Sequence, residues 1–223
     1  MTPTASPPRP RLRTATVIGC GARGLAVARA LRAAGVEVHL LDQDPRAVVR
    51  AQELGAGTLW LPGRPADDLV VVATPPAAVV DVLYEAQARG LGHAYTDIAA
   101  TDAKESIVAE ARLRGCDLLG YVPGTPPDPR PAPATAGAGP FSGRTWILCP
   151  YDDGDPAATA AVDALVRLCG ALRRDLTPAQ HDRVVAARVR APRRGHPRSD
   201  ASPQAPGRSD PPGRRADATG PDS

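Results

Sequence analysis

The chain has 223 residues, 43% hydrophobic but only 3% aromatic, which allows one aliphatic core with an appendage. Its formal charge of +3 resides at the ends. Setting aside three Arg in residues 1–13, and eight Arg and four Asp in residues 187–223, leaves a net −4 for residues 14–186, which argues against a basic nucleic-acid face on the folded part.

Residues 1–13 are Pro- and Arg-rich without the apolar stretch of a secretory signal, and are expected to form a disordered leader. From Thr14 the pattern is strand, tight turn, helix and strand. Val17 and Ile18 end an apolar run, and Gly19, Gly21 and Gly24 then spell G-x-G-x-x-G. Leu25, Ala28 and Leu31 recur on one helical face, with Gly35 as the stop. In a dinucleotide site the first glycine permits the turn, the second lets backbone approach a pyrophosphate, and the third lets helix and strand pack closely. The amides that open the helix, at Ala22, Arg23 and Gly24, would hold the phosphates. Asp42 ends the next strand 18 residues beyond Gly24, where a carboxylate takes ribose hydroxyls. The pattern implies NAD. Its rival is a glycine turn that only packs a helix against a sheet.

Pro45 opens a helix to about residue 54, and residues 56–61 hold a short third strand. The apolar run 68–73 reads as a strand buried on both faces, stopped by Thr74, Pro75 and Pro76 at the edge where a cofactor crevice lies. A helix over 77–89, a strand over 94–99 containing Asp97, a helix over 101–114 capped by Thr101, and a sixth strand over 116–122 follow. Asp97, at a strand end, reads as cofactor-binding or as structural. This alternation predicts an α/β fold, a doubly wound, mostly parallel Rossmann-type sheet with disordered N- and C-terminal segments.

Residues 123–140 contain seven Pro and read as a long loop. A strand over 144–149, a helix over 156–169 ended by Gly170, and a helix over 178–189 come next. The Pro/Arg-rich residues 190–223 lack the apolar content for a core and are expected to be disordered. The organisation is thus a nucleotide-binding domain over 14–176, with 177–189 beginning something further. His39 reads as a packing or surface residue in a strand, and His93 and His196 as loop and tail residues. Cys20, Cys116, Cys149 and Cys169 show no C-x-x-C pair, so neither a metal site nor a disulfide framework is indicated. No apolar segment reaches the length of a membrane span, and a cytoplasmic protein is expected.

Taken together, the glycine motif at 17–24, Asp42, Val72 to Pro76, Tyr95 to Ala99, Tyr121 to Pro126, Phe141 to Leu148, Leu168 to Ala171 and His181-Asp182-Arg183 resemble the prephenate/arogenate dehydrogenase family. The resemblance covers residues 14 to about 186. It implies NAD-dependent oxidative decarboxylation of prephenate or arogenate in tyrosine biosynthesis, by a homodimer. In that chemistry hydride leaves a ring carbinol, carbon dioxide is lost, and a positioned His holds the ring hydroxyl. The family's G-H-P motif falls on Gly124-Thr125-Pro126, so Thr125 replaces the catalytic His, and a hydroxyl with no base nearby is not expected to do that work at neutral pH. The family's Ser falls on Ala100, with Thr101 one position along offering a hydroxyl. His181 matches a family His. The S-H-x-P-H segment falls on Val189 to Arg193, with Arg at both His positions, and a polar tail stands where the helical dimerisation and substrate domain is expected.

The resemblance therefore implies a truncated enzyme impaired in catalysis, with His181, Thr101 and Thr125 as the remaining catalytic candidates. A shift of reading frame past codon 186 would produce this pattern. The rival readings are a catalytically inactive NAD-binding remnant or regulatory module, and an oxidoreductase of another Rossmann family. A short-chain dehydrogenase is disfavoured because Lys104, the sole lysine, lacks the upstream Tyr of Tyr-x-x-x-Lys.

Overall fold

The computed structural model describes residues 12–130 and 139–190. Strands β1 (Thr14–Ile18), β2 (Glu37–Leu41), β3 (Thr58–Leu59), β4 (Asp67–Val72) and β5 (Gly92–Asp97) form a parallel sheet in the order β3-β2-β1-β4-β5. The chain steps outward from β1 to β3 and returns to the other side of β1 with β4. Strand order reverses between β1 and β4, and the crevice beyond their C-terminal ends is where this architecture places a nucleotide.

The helices are α1 (Ala22–Ala33), α2 (Pro45–Glu53), α3 (Val79–Ala88), α4 (Lys104–Arg114), α5 (Pro156–Leu168) and α6 (Pro178–Arg190). Period-two alternation sends Val17, Leu40, Val71 and Ala94 to one sheet face, against Val27 and Leu31 of α1, Val48 of α2 and Val162 and Leu165 of α5. Val70, Val72 and Tyr95 face the other way, against Val79 and Leu83 of α3 and Ile107 and Ala111 of α4. Covering both faces is what makes the run Leu69 to Val72 apolar throughout. Asp44 and Asp155 cap α2 and α5 by accepting from Arg46 N at 2.9 Å and Ala157 N at 2.8 Å, each followed by Pro in the first turn.

A second, three-stranded sheet departs from the single-sheet expectation. Strands β6 (Gly124–Thr125), β7 (Thr145–Leu148) and β8 (Leu172–Asp175) lie in the order β6-β7-β8, with β7 antiparallel to β6 and parallel to β8. The stretch read as a loop over 123–140 thus contributes a strand that contains Thr125. Residues 131–138 of that stretch lie outside the described residues. All four residues of β8 are exposed, so its sequence carries no burial alternation that would mark it as a strand.

The sixth strand expected over 116–122 reduces to a single bridge between Tyr95 and Tyr121. Tyr95 N donates to Gly120 O, and Val122 N to Tyr95 O, but Val122 O then accepts from the Thr96 hydroxyl at 2.7 Å rather than from a further backbone rung. Helix α4 begins at Lys104 rather than at Thr101. Leu12 and Arg13 belong to the fold rather than to a leader: Leu12 packs on the core and Arg13 N donates to Asp68 at 2.7 Å. The remainder of the leader and residues 191–223, with His196, lie outside the described residues. His39 is buried, its Nδ1 2.8 Å from an Asp67 oxygen that also accepts from Thr16 Oγ1. His93 sits on β5 and is exposed. None of the described helices is long and apolar enough to cross a membrane.

Candidate active site

The glycine motif builds the crevice. Gly19 has φ +108°, and a Cβ there would lie 2.6 Å from Ala73 O. A Cβ on Gly24 would lie 1.9 Å from Gly19 O and 3.0 Å from Ala73 Cβ, so α1 packs against the ends of β1 and β4 only because both residues lack side chains. Gly21 differs. Among the described residues a Cβ there would meet nothing within 4 Å, so none of them demands glycine at that position.

The first rung of the α1 ladder is Leu25 N to Gly21 O at 2.8 Å, which leaves the amides of Ala22, Arg23 and Gly24 ahead of it. Unlike α2 and α5, α1 has no side-chain cap among the described residues. The crevice in front of it measures about 550 Å³ and is lined by Gly19, Gly21, Ala22, Arg23, Asp42, Thr74, Pro75, Pro76, Ala99 and Ala100, among others. That is ample for a small-molecule ligand.

Asp42 accepts from Cys20 N at 2.6 Å through one oxygen and from Asp44 N at 2.9 Å through the other. A carboxylate has about four acceptor positions, so both oxygens keep capacity toward the crevice. Burial and then the Asp42 charge push the Cys20 thiol up to about 11. Thr74 Oγ1 is buried with no partner among the described residues, an arrangement that costs about 1–3 kcal/mol unless a bound group completes it. The Arg23 guanidinium pairs with the Asp128 carboxylate, and Arg144 donates to the Asp128 carbonyl, so the start of the Pro-rich segment is tied to the mouth of the site.

Asp97, one of the cofactor-binding candidates, does not line this crevice. It is fully buried and its oxygens are taken: Oδ1 accepts from Lys104 Nζ at 2.5 Å and Ala99 N at 3.0 Å, and Oδ2 accepts from the Tyr121 hydroxyl at 2.6 Å. Burial first, and then the Asp97 charge, hold that hydroxyl well above the ordinary phenol range. Lys104 also donates to Gly124 O at 3.0 Å, which ties β6 to the end of β5.

Beyond this buried cluster two of the catalytic candidates meet. His181 Nε2 lies 2.9 Å from Thr125 Oγ1, although 56 residues separate them. The expectation that Thr125 has no base beside it is therefore corrected. Its hydroxyl also lies 3.3 Å from Ala99 O, on the crevice wall. His181 Nδ1 is 2.8 Å from Asp182 Oδ1. The same carboxylate accepts from Lys104 N at 2.8 Å and Glu105 N at 2.9 Å, doing for α4 what a local cap does elsewhere.

Thr101, expected to cap α4, instead accepts from Ala103 N at 3.0 Å and closes the preceding turn. Ala100 brings no polar side chain to the crevice it lines. Reasoning from sequence passed over Asp182, Tyr121 and the buried role of Lys104. The signals present were the His181-Asp182 dipeptide and the single lysine of an arginine-rich chain.

Comparison with known proteins agrees with this geometry. Residues 27–173 match the family described as prephenate dehydrogenase, nucleotide-binding domain, a match that begins within α1. The probable prephenate dehydrogenase NovF of Streptomyces niveus is 40% identical over 177 residues, covering 78% of this chain and 48% of that protein. The chain thus spans about half the length of its curated relative. Among solved structures, prephenate dehydrogenase from A. aeolicus, in complex with hydroxyphenyl propionate and NAD+, superposes with a TM-score of 0.62 at 19% identity, over 78% of this chain and 63% of that one. Synechocystis arogenate dehydrogenase gives the same TM-score, identity and coverage. At such identities these structures establish the shared Rossmann-like fold. The match to the family and the 40% identity carry the assignment: the chain belongs to the prephenate dehydrogenase family and comprises its nucleotide-binding domain.

Proposed function

We propose that this chain binds NAD in the crevice at the switch point and serves the oxidative decarboxylation of prephenate or arogenate, with turnover well below that of a site carrying the family's His and Ser. The observation that carries the reading is the uncapped start of α1 beside Gly21, facing open space that Asp42 and the unpartnered Thr74 Oγ1 also border.

The residues fit the group. Amides of Ala22, Arg23 and Gly24 suit a pyrophosphate, and the Asp42 carboxylate suits the ribose hydroxyls. The Thr74 hydroxyl offers a donor to a polar edge of the ligand. When bound, the nicotinamide supplies the acceptor for the hydride of the ring carbinol. The protein's task is then to hold the carbinol hydroxyl, orient the ring and exclude water. Thr125 and Ala100 occupy the positions of the family's His and Ser, which is the reason for reduced turnover.

Calorimetric titration with NAD, followed by an assay of NADH formation with prephenate and with arogenate, tests the reading. Saturable NAD binding with slow, substrate-dependent NADH formation is expected. Absence of NAD binding would overturn it.

A further inference from the structure

Resting on that dehydrogenase reading, we propose that Thr125 is the catalytic group that takes the proton of the substrate hydroxyl, with His181 as the base behind it and Asp182 as the positioning residue. The hydrogen bonds set the direction of the relay. Asp182 accepts from two backbone amides at the start of α4, one through each carboxylate oxygen. An ionised carboxylate only accepts, so His181 Nδ1, 2.8 Å from Oδ1, carries the ring proton. Nε2 is then the bare nitrogen. Thr125 Oγ1 donates to it at 2.9 Å in preference to Ala99 O at 3.3 Å, and its own lone pairs remain to accept a proton.

Both members are held. His181 is fully buried, and the strand that carries Thr125 is fixed from behind by Lys104 Nζ on Gly124 O. Thr125 itself is only half-buried.

As hydride leaves the ring carbon for the nicotinamide, the carbinol O–H proton passes to Thr125 Oγ1 while the Thr125 proton passes to His181 Nε2. A dienone and an imidazolium paired with Asp182 result. Loss of carbon dioxide returns the electron pair of the broken C–C bond to the ring. The phenolate oxygen so formed takes a proton back from Thr125, which recovers its own from His181. The substrate would lose one hydride, to the bound nicotinamide, and one carbon dioxide, and the protein's own protons end where they began.

The test uses the full chain labelled with 15N, reading the His181 ring nitrogens by NMR, with His181→Gln identifying the signals. The proposal expects a protonated Nδ1 and a hydrogen-bonded, unprotonated Nε2. It expects Thr125→Val to shift Nε2 while leaving Nδ1 in place, and Thr125→Ser to restore the wild-type position. A proton on Nε2, or an Nε2 signal indifferent to Thr125→Val, would overturn it. In turnover, Thr125→Val should lower kcat by roughly 10²–10⁴-fold with unchanged NAD affinity, and Thr125→Ser should recover most of the rate. A Thr125→Val rate equal to wild type would equally overturn the relay. Failure to bind NAD is a separate result that removes the dehydrogenase reading whatever the tautomer.

Discussion

The ammonium of Lys104 sits 2.5 Å from Asp97, and both side chains are wholly buried. Tyr121 bonds the other carboxylate oxygen, and Gly124 O receives a second ammonium proton, so one ion pair joins β5, α4 and β6. Removing one partner strands a charge in the interior. Lys104→Met is expected to cost about 3–5 kcal/mol of stability, with Asp97→Leu added to it recovering a large part. Urea unfolding of the single and double variants measures this; a single-variant loss below about 1 kcal/mol would contradict the role assigned to the pair.

Two glycines of the same motif should separate folding from binding. Gly24→Ala places a methyl 1.9 Å from Gly19 O and is expected to lower the melting temperature and abolish nucleotide binding together. Gly21→Ala meets no atom of the described residues, so its stability should stay within about 0.5 kcal/mol of wild type. Its methyl would nonetheless stand where a pyrophosphate must approach, and NAD affinity should fall at least about tenfold. Thermal melts paired with calorimetric titration decide it. Undiminished NAD binding by Gly21→Ala would place the ligand elsewhere.

NAD is expected to bind more tightly than NADP, because the Asp42 carboxylate accepts ribose hydroxyls and repels a 2′-phosphate. Asp42→Ala should weaken NAD by about 1–3 kcal/mol and change NADP much less. The same variant leaves the amide of Cys20 without its acceptor, so melting must be followed alongside. Tighter NADP binding by the wild-type chain would refute the assignment.

Alkaline pH should destabilise the fold through its buried thiols. Burial raises Cys149 and Cys169 from 9.0 to about 12. Because the folded-state values lie above the unfolded ones, the folded chain holds these protons longer. Their contribution is full below pH 9.0 and is lost progressively as pH rises toward about 12. Each thiol contributes a slope of about 1.4 kcal/mol per pH unit inside that window. Denaturant midpoints compared at about pH 8 and about pH 10.5 should show the drop, and substituting both cysteines by Ala should shrink the difference between the two pH values. An unchanged difference would mean that these thiols do not titrate with unfolding.

Local pattern determined the greater part of the central sheet. G-x-G-x-x-G followed by a helix, an acid ending the next strand, and an apolar run cut by two prolines each state their meaning within about ten residues, because steric freedom at glycine, lost amides at proline and side-chain periodicity are local properties. What only the tertiary structure decided are contacts between side chains far apart in the chain. Asp97 stands at a strand end like a ligand-facing acid, yet Lys104 and Tyr121 close around it and turn it into a structural ion pair. Thr125 looks isolated in a proline-rich stretch until α6 brings His181 to its hydroxyl. Asp182 caps a helix 78 residues away, a bond no spacing rule anticipates. Strands β6 and β8 are short and polar or buried in turn-like sequence, and exist because β7 supplies the partner edge to each. Hydrogen-bond partners across the fold are chosen by how the elements dock, and docking is set by the whole core rather than by any one segment.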